Sequence, residues 1–237
     1  MTQEIYRIEG LSVEFHRWGE TVAAISDLDL TVQEGDWIML IGHNGSGKST
    51  LLRVLAGQVT PTRGLVYFKG NSLDAMQRVS PPAFFVEQNP LASASAKLTL
   101  VENLHVADED GVKLPRQQRT KKYEEMLASV GLDRQMNQLA RYLSGGERQL
   151  LSLLIARLRS SPVLLLDEPL AALDPAKEAL CMQLITDLNR AGRTVIHVTH
   201  NHALAFSTGN RVIELERGAV KSNMLTSRYP DSYKESK

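Results

Sequence analysis

An α/β fold interrupted by one helical lobe is what this sequence predicts, on three observations. Short and nearly unbroken apolar runs such as "WIMLI" and "VLLLD" alternate with helical patterns. Such runs suit strands of a mostly parallel sheet covered on both faces. Between about residues 89 and 158 the strand signals vanish and helical periodicity takes over. Before residue 40 the chain reads instead as short strand-like stretches, "YRIEGLSVEF" and "AAISDLDLTV", with a turn at "QEGD".

The elements follow in order. A helix is expected from about Ser49 to Ala56, stopped by Gly57, and "TPTRGLVYFKG" reads as a turn and a strand. "PAFFVEQ" is one more strand. In the helical stretch, "DEDGVKLPRQQRTKK" reads as a solvated loop, and "GGERQLLSLLIARL" as an amphipathic helix. After it come strand "PVLLLDEP", helix "PAKEALCMQLITDLNRAG", strand "RTVIHVTH" and strand "NRVIELERG". The polar end, "SNMLTSRYPDSYKESK", is expected to be loosely held. The division is thus a core of residues 1–88 and 159–225, an inserted helical lobe of 89–158 and a polar tail of 226–237.

Bulk properties narrow the function classes. The 237 residues carry 27 Lys plus Arg against 27 Asp plus Glu, a balance that argues against a nucleic-acid partner. One cysteine, Cys181, excludes a disulfide framework and any all-cysteine metal site within one chain, and makes a reducing compartment the expectation. "MTQEIYRIEG" lacks the layout of a signal peptide. No apolar stretch approaches the roughly 20 residues of a membrane helix, so work at a membrane would need another chain to span it.

"GHNGSGKST" has the phosphate-loop spacing, Gly42 followed by Gly47, Lys48 and Ser49, between an apolar strand and a helix. Polyphosphate is held best by backbone N–H groups at a helix mouth, where the dipole favours negative charge. Gly42, His43, Asn44, Gly45, Ser46 and Gly47 supply that backbone. Lys48 reaches the outer phosphates, the Ser49 hydroxyl suits Mg²⁺, and Thr50 lies beside the inner phosphates. Asp167 and Glu168 follow directly on a buried strand, where ligands of such sheets gather. Asp167 is expected to hold Mg²⁺ and Glu168 to align the attacking water. Gln88 and His200 also end strands and can point at the γ-phosphate. His16, His43, His105, His197 and His202 are read as packing or edge side chains. Phe15 and Trp18 are the two aromatics placed to stack on adenine, with Phe15 favoured.

"LSGGE" opens a helix with Ser144, Gly145 and Gly146, although glycine costs roughly 1 kcal/mol relative to alanine in a helix. Bare backbone at a helix mouth is a second anion site, without a lysine. One nucleotide does not need two such sites in one chain, and a two-fold dimer uses both.

With "GHNGSGKST" before it and "LLLDEP" after it, "LSGGE" resembles the signature of ABC-type ATPases, and the likeness covers nearly the whole chain. It implies a P-loop NTPase (RecA-like) core with a mostly parallel sheet, an N-terminal antiparallel β subdomain and an inserted helical subdomain. It implies ATP and Mg²⁺ as the groups bound, catalytic roles for Glu168, His200, Lys48 and Gln88, and nucleotide contacts from Ser144, Gly145, Gly146 and Glu147. It implies a dimer-facing loop at Ala171, Ala172, Leu173 and Asp174, and a docking groove for a membrane partner near residues 89–100. Ala171 stands where many members carry serine, Asn201 where an acid is usual, and the adenine-stacking residue is not tyrosine. The partners implied are integral membrane permease subunits, a second copy, and a solute-binding protein, with the chain on the cytoplasmic face of the membrane. Several segments resemble importers of tryptophan or tyrosine type, so import of an amino acid is the expected cargo. The alternative is a soluble ABC-type ATPase serving an iron–sulfur assembly scaffold.

Overall fold

The computed structural model describes residues 3–17, 20–73, 82–88 and 93–226, which form two compact units. The first comprises Met1–Phe85, Pro162–Glu168 and Gly192–Lys237. Within it lies a four-stranded antiparallel sheet, in the order β2-β1-β4-β5. Its strands are β1 (Glu4–Arg17), β2 (Glu20–Gln33), β4 (Arg63–Phe68) and β5 (Asn71–Ser72). A six-stranded sheet runs in the order β10-β9-β3-β8-β7-β6. It is built from β3 (Trp37–Ile41), β6 (Ala83–Val86), β7 (Val163–Asp167), β8 (Thr194–Val198), β9 (Arg211–Glu216) and β10 (Ala219–Leu225).

Strands β3, β7 and β8 are buried at every position. They pair in parallel, with Leu40 beside Val198 and Asp167 beside Val198, while β9 runs parallel to β3 on its other side. Chain segments leaving β3, β7 and β8 therefore emerge at one edge. Helix α1 (Lys48–Leu55) buries Leu51, Leu52, Val54 and Leu55 in one core with residues of both sheets. Tyr6 of β1 is fully buried there, its hydroxyl donating to the Leu55 carbonyl at 2.8 Å.

The polar end departs from expectation. Residues 219–225 form β10, paired antiparallel with β9 from Ala219 opposite Glu216 to Leu225 opposite Arg211. Arg211 Nε donates to the Asn223 side chain at 2.7 Å, and Lys221 bridges Glu214 at 3.0 Å. An edge strand needs only one apolar face, which is why its hydropathy resembles that of a loop. Residues 227–237 and Trp18 lie outside the described residues.

The second unit comprises Val86–Ser161 and Pro169–Ala191 and contains α2 (Leu100–Ala107), α3 (Arg116–Ala128), α4 (Gly145–Leu158) and α5 (Pro175–Arg190). The stretch read as a solvated loop, residues 108–122, ends inside α3, which begins at Arg116. Its pattern is hidden because only Tyr123, Met126 and Leu127 are buried on it, too narrow a stripe to register as periodicity. The turn before α3 is tied down by Asp108, which is buried and accepts from Lys122 Nζ at 2.8 Å, Tyr123 Oη at 3.0 Å and Gly111 N at 2.9 Å. Helix α4 is not amphipathic: residues 149–156 are all buried, because leucine and isoleucine at 150, 151, 153, 154 and 155 cover more than one face. In the first unit, α6 (His202–Thr208) follows β8, capped by the Asn201 side chain accepting from Leu204 N at 3.0 Å. Asparagine serves at that cap as well as the expected acid.

Candidate functional site: a phosphate loop and a second helix mouth

Three loops of the first unit converge because their strands are neighbours. The loop after β3 turns through Gly42, at φ 144°, and Gly47, at φ 101°. A Cβ at Gly42 would run into the Leu215 carbonyl, and one at Gly47 would lie 2.5 Å from the Ala24 carbonyl. Only glycine fits either position. The loop is pinned from outside by Gly218 N donating to Ser46 O at 3.1 Å, while Ser26 N donates to Gly218 O at 3.0 Å.

No side chain caps α1, whose N-cap is Gly47, so its first N–H groups are not satisfied by a capping side chain. Lys48 lies back over the loop, its ammonium donating to the Gly42 carbonyl at 2.8 Å and the His43 carbonyl at 2.9 Å. Burial lowers the Lys48 pKa, while Glu168 and Asp167 pull it upward. Burial raises Asp167, and the Ser49 hydroxyl hydrogen-bonded to its carboxylate works the other way. A hydroxyl and a buried carboxylate in contact are an oxygen donor pair fitted to a hard cation such as Mg²⁺.

Glu168 sits at φ 52°, a left-handed backbone that non-glycine residues adopt at a cost of order 1–3 kcal/mol. Its amide donates to the Val198 carbonyl at 3.2 Å, and its Oε1 lies 2.8 Å from His200 Nε2. The sequence aims both residues at the phosphate but does not pair them; this contact is a tertiary finding. The structure thus brings together the phosphate loop, Lys48, Ser49, Asp167, Glu168 and His200. Phe15 is half-buried against the first unit's core, opposite Val22 on β2. His197 is fully buried in β8, as the packing reading expects.

In the second unit, α4 opens at Ser144. Its amide donates to a Glu147 carboxylate oxygen at 2.7 Å, and the Glu147 amide donates to the Ser144 hydroxyl at a long 3.4 Å. The amide of Ser144 holds the Glu147 carboxyl below its ordinary range. A Cβ at Gly145 would meet nothing within 4 Å, whereas one at Gly146 would press on the Lys177 side chain. The mouth is therefore open backbone at Gly145. Ala171, Ala172, Leu173 and Asp174 lead into α5, Ala172 at φ 59° and Asp174 capping that helix through Lys177 N at 3.0 Å. Gln88 follows β6 in an exposed bend.

The family described as "ABC transporter" matches residues 25–171. The chain belongs to the ABC transporter family. The macrolide export ATP-binding/permease protein MacB of Rhodopseudomonas palustris is 33% identical over 96% of this chain but only 35% of its own length. The chain thus spans about a third of the MacB relatives it matches. Two relatives match nearly end to end. The lipoprotein-releasing system ATP-binding protein LolD of Nitratidesulfovibrio vulgaris is 36% identical over 91% of this chain and 94% of its own. The tyrosine transport ATP-binding protein of Clostridioides difficile is 32% identical over 90% and 89%. Among solved structures, a dimeric ABC transporter cassette, MJ0796, superposes with a TM-score of 0.81 at 27% identity, covering 95% of this chain and all of that one. A dimeric form of the same cassette bound to ADP and Pi gives 0.80. These structures carry the fold expected from the sequence, and among the described residues no helix is long and apolar enough to cross a membrane.

Proposed function

We propose that this chain is the ATP-hydrolysing motor subunit of a membrane transporter, closing with a second copy around two Mg–ATP. One observation carries the reading: the chain owns two helix mouths with receptive backbone, of which one carries Lys48 in its own loop and the other, open at Gly145, has no lysine in its own loop. In a two-fold dimer the Ser144, Gly145 and Gly146 backbone of each copy meets the triphosphate on the other copy's Lys48 loop. The dimeric cassette structures support it.

In this scheme the loop amides and Lys48 hold the β- and γ-phosphates, and Ser49 with Asp167 holds Mg²⁺, which when bound neutralises phosphate charge. Glu168 orients the attacking water and accepts its proton, as phosphoryl transfer requires mostly positioning and charge stabilisation. His200 fixes the Glu168 carboxylate at 2.8 Å and stands beside the γ-phosphate, with Gln88 as a further Mg²⁺ contact and Phe15 against adenine. The partners are permease subunits that span the membrane, with the chain on its cytoplasmic face and its docking groove near residues 89–100, of which 89–92 lie outside the described residues. The near full-length likeness to a tyrosine transport subunit supports amino-acid import with a solute-binding protein, while the MacB and LolD likenesses make outward transport the competing direction.

Glu168→Gln tests the motor reading. With ATP it should elute as a dimer in size-exclusion chromatography and hydrolyse at background rate; normal turnover by this variant overturns the assignment of the base.

A further inference from the structure

Helices α2 and α4 carry a glutamate three residues after their capping residue, Glu102 after Thr99 and Glu147 after Ser144, and close a capping box with it. An acid suits that place, because the positive end of the helix dipole favours it. Helix α5 breaks the rule: its cap is Asp174, and the third residue beyond is Lys177. The dipole of its own helix repels a cation there, and a local rule broken in this way points to a partner elsewhere. That partner is the second mouth. The Lys177 stem fills the space that Gly146 leaves bare: a Cβ on Gly146 would lie 2.5 Å from Lys177 Cδ and 3.2 Å from Leu173 Cδ2. The ammonium ends on Asp174 Oδ2 at 3.0 Å. Asp174 holds the Lys177 pKa above its ordinary value, and Glu147 acts in the same direction. Glu147 in turn accepts from the Ser144 amide at 2.7 Å and from Gln135 Nε2 at 3.3 Å. Ala172, at φ 59°, holds a strained backbone that persists only where its surroundings fix it. All of these residues belong to the second unit.

We propose that Lys177 is a positioning residue for the second half-site: its stem and its ammonium join the Ser144–Gly146 mouth to the Ala171–Asp174 loop, so that both meet a second copy as one surface. The two glycines of the mouth then have separate tasks. Gly146 admits the lysine stem, and Gly145 stays open for the arriving anion. Lys177 acts through the backbone it orders rather than by touching that anion. A mouth and a loop already fixed to each other lose less freedom when the dimer closes. That this surface meets a partner's nucleotide rests on the motor reading; that Lys177 joins mouth to loop does not.

Lys177→Met keeps the stem and removes the charge, while Lys177→Arg keeps a cation. Hydrogen exchange on the nucleotide-free chain reads the joint alone. The bonded amides of Ser144, Glu147 and Leu173 should exchange about threefold faster in Lys177→Met, the scale of one exposed ion pair. In Lys177→Arg they should return close to the native rate. The dimer is read by sedimentation in the Glu168→Gln background with saturating ATP. A two-fold dimer holds two such joints, so Lys177→Met should raise its dissociation constant about tenfold. ATP binding at dilutions where the chain is monomeric should stay unchanged, which separates this effect from damage to the Lys48 loop. Asp174→Asn keeps a capping side chain and should match Lys177→Met, and the double variant should be no weaker than either. Unchanged exchange in Lys177→Met overturns the proposal. So does a Lys177→Met dimer as tight as its parent, or a double variant in which the two losses add. A Glu168→Gln chain that stays monomeric with ATP, yet exchanges faster once Lys177→Met is added, sinks the motor reading and leaves the joint standing.

Discussion

The two helix mouths begin from the same physics and are finished differently. At α1 the N-cap is a glycine in left-handed conformation with no side-chain cap, and the nearby ammonium of Lys48 rests on the loop's own carbonyls. At α4 a serine and a glutamate close a capping box, and the backbone at Gly145 is open. The box alone is not what marks a phosphate partner. Helix α2 carries the same device, with Thr99 and Glu102, and nothing in its sequence exposes backbone. The lesson lies in what the glycines do. In the phosphate loop they permit a conformation; in the α4 mouth they leave room for something to arrive.

That contrast can be broken in stated ways. The largest effect should come from Lys48→Ala, which removes the cation that rests on the first mouth's loop. ATP binding should weaken by about tenfold to a hundredfold, since hydrogen bonds to charged groups contribute about 1.5–3 kcal/mol. Hydrolysis should fall to background in a coupled assay; retained turnover would mean that the loop does not hold the triphosphate.

Next, Gly42→Ala should act on folding as well as on activity. It places a Cβ at positive φ against the Leu215 carbonyl, at a cost of about 3 kcal/mol, read as a lowered Tm. Gly145→Ala should do the reverse. Its Cβ meets nothing, so stability should hold or rise by up to about 1 kcal/mol. Its ATPase rate should nonetheless drop about tenfold, a loss of about 1.4 kcal/mol of transition-state stabilisation, if a partner's phosphate lands there. An unimpaired Gly145→Ala enzyme would make the two mouths unequal in function and remove the case for a shared site.

The smallest expected effect concerns how each unit answers acid. In the first unit, burial pushes the His197 imidazole down to about 3, and neither ring nitrogen finds a partner among the described residues. A group with a depressed folded pKa supplies stability above its unfolded pKa of about 6.5 and loses it as pH falls toward the folded value. The native chain should therefore lose about 1 kcal/mol between pH 7 and pH 5.5 through this residue. His197→Leu should flatten that part of the Tm-against-pH curve. In the second unit burial pushes Asp108 up, but Lys122, Tyr123 and Gly111 outweigh it and its pKa is lowered. Its contribution is lost as pH falls through the ordinary carboxylate range toward the lowered value, below the window just given for His197. A curve as steep in His197→Leu as in the native chain would move the acid sensitivity elsewhere.

Much of the fold was legible in the chain. Buried parallel strands write themselves as apolar runs, since both faces must be dry, and β3, β7 and β8 were read that way. Helix α3 and strand β10 are not legible that way: α3 buries one narrow apolar stripe and β10, at the sheet edge, only half-buries some of its residues, and such a pattern is local noise until a neighbour is supplied. Within the site, the phosphate loop and the Ser-Gly-Gly mouth were legible because glycine spacing encodes backbone geometry directly.

Sequence by itself determined which backbone can approach an anion, through glycines, one lysine and the strands that precede them. Only the tertiary structure decided which groups share a space: Glu168 with His200, Ser49 with Asp167, and the Lys177 stem with the bare Gly146. The reason is that conformational permission is a property of neighbouring residues along the chain. Pairing of charges depends on which strand ends the sheet sets side by side, and the parallel order of β3, β8 and β7 is fixed by packing, not by any one stretch of residues.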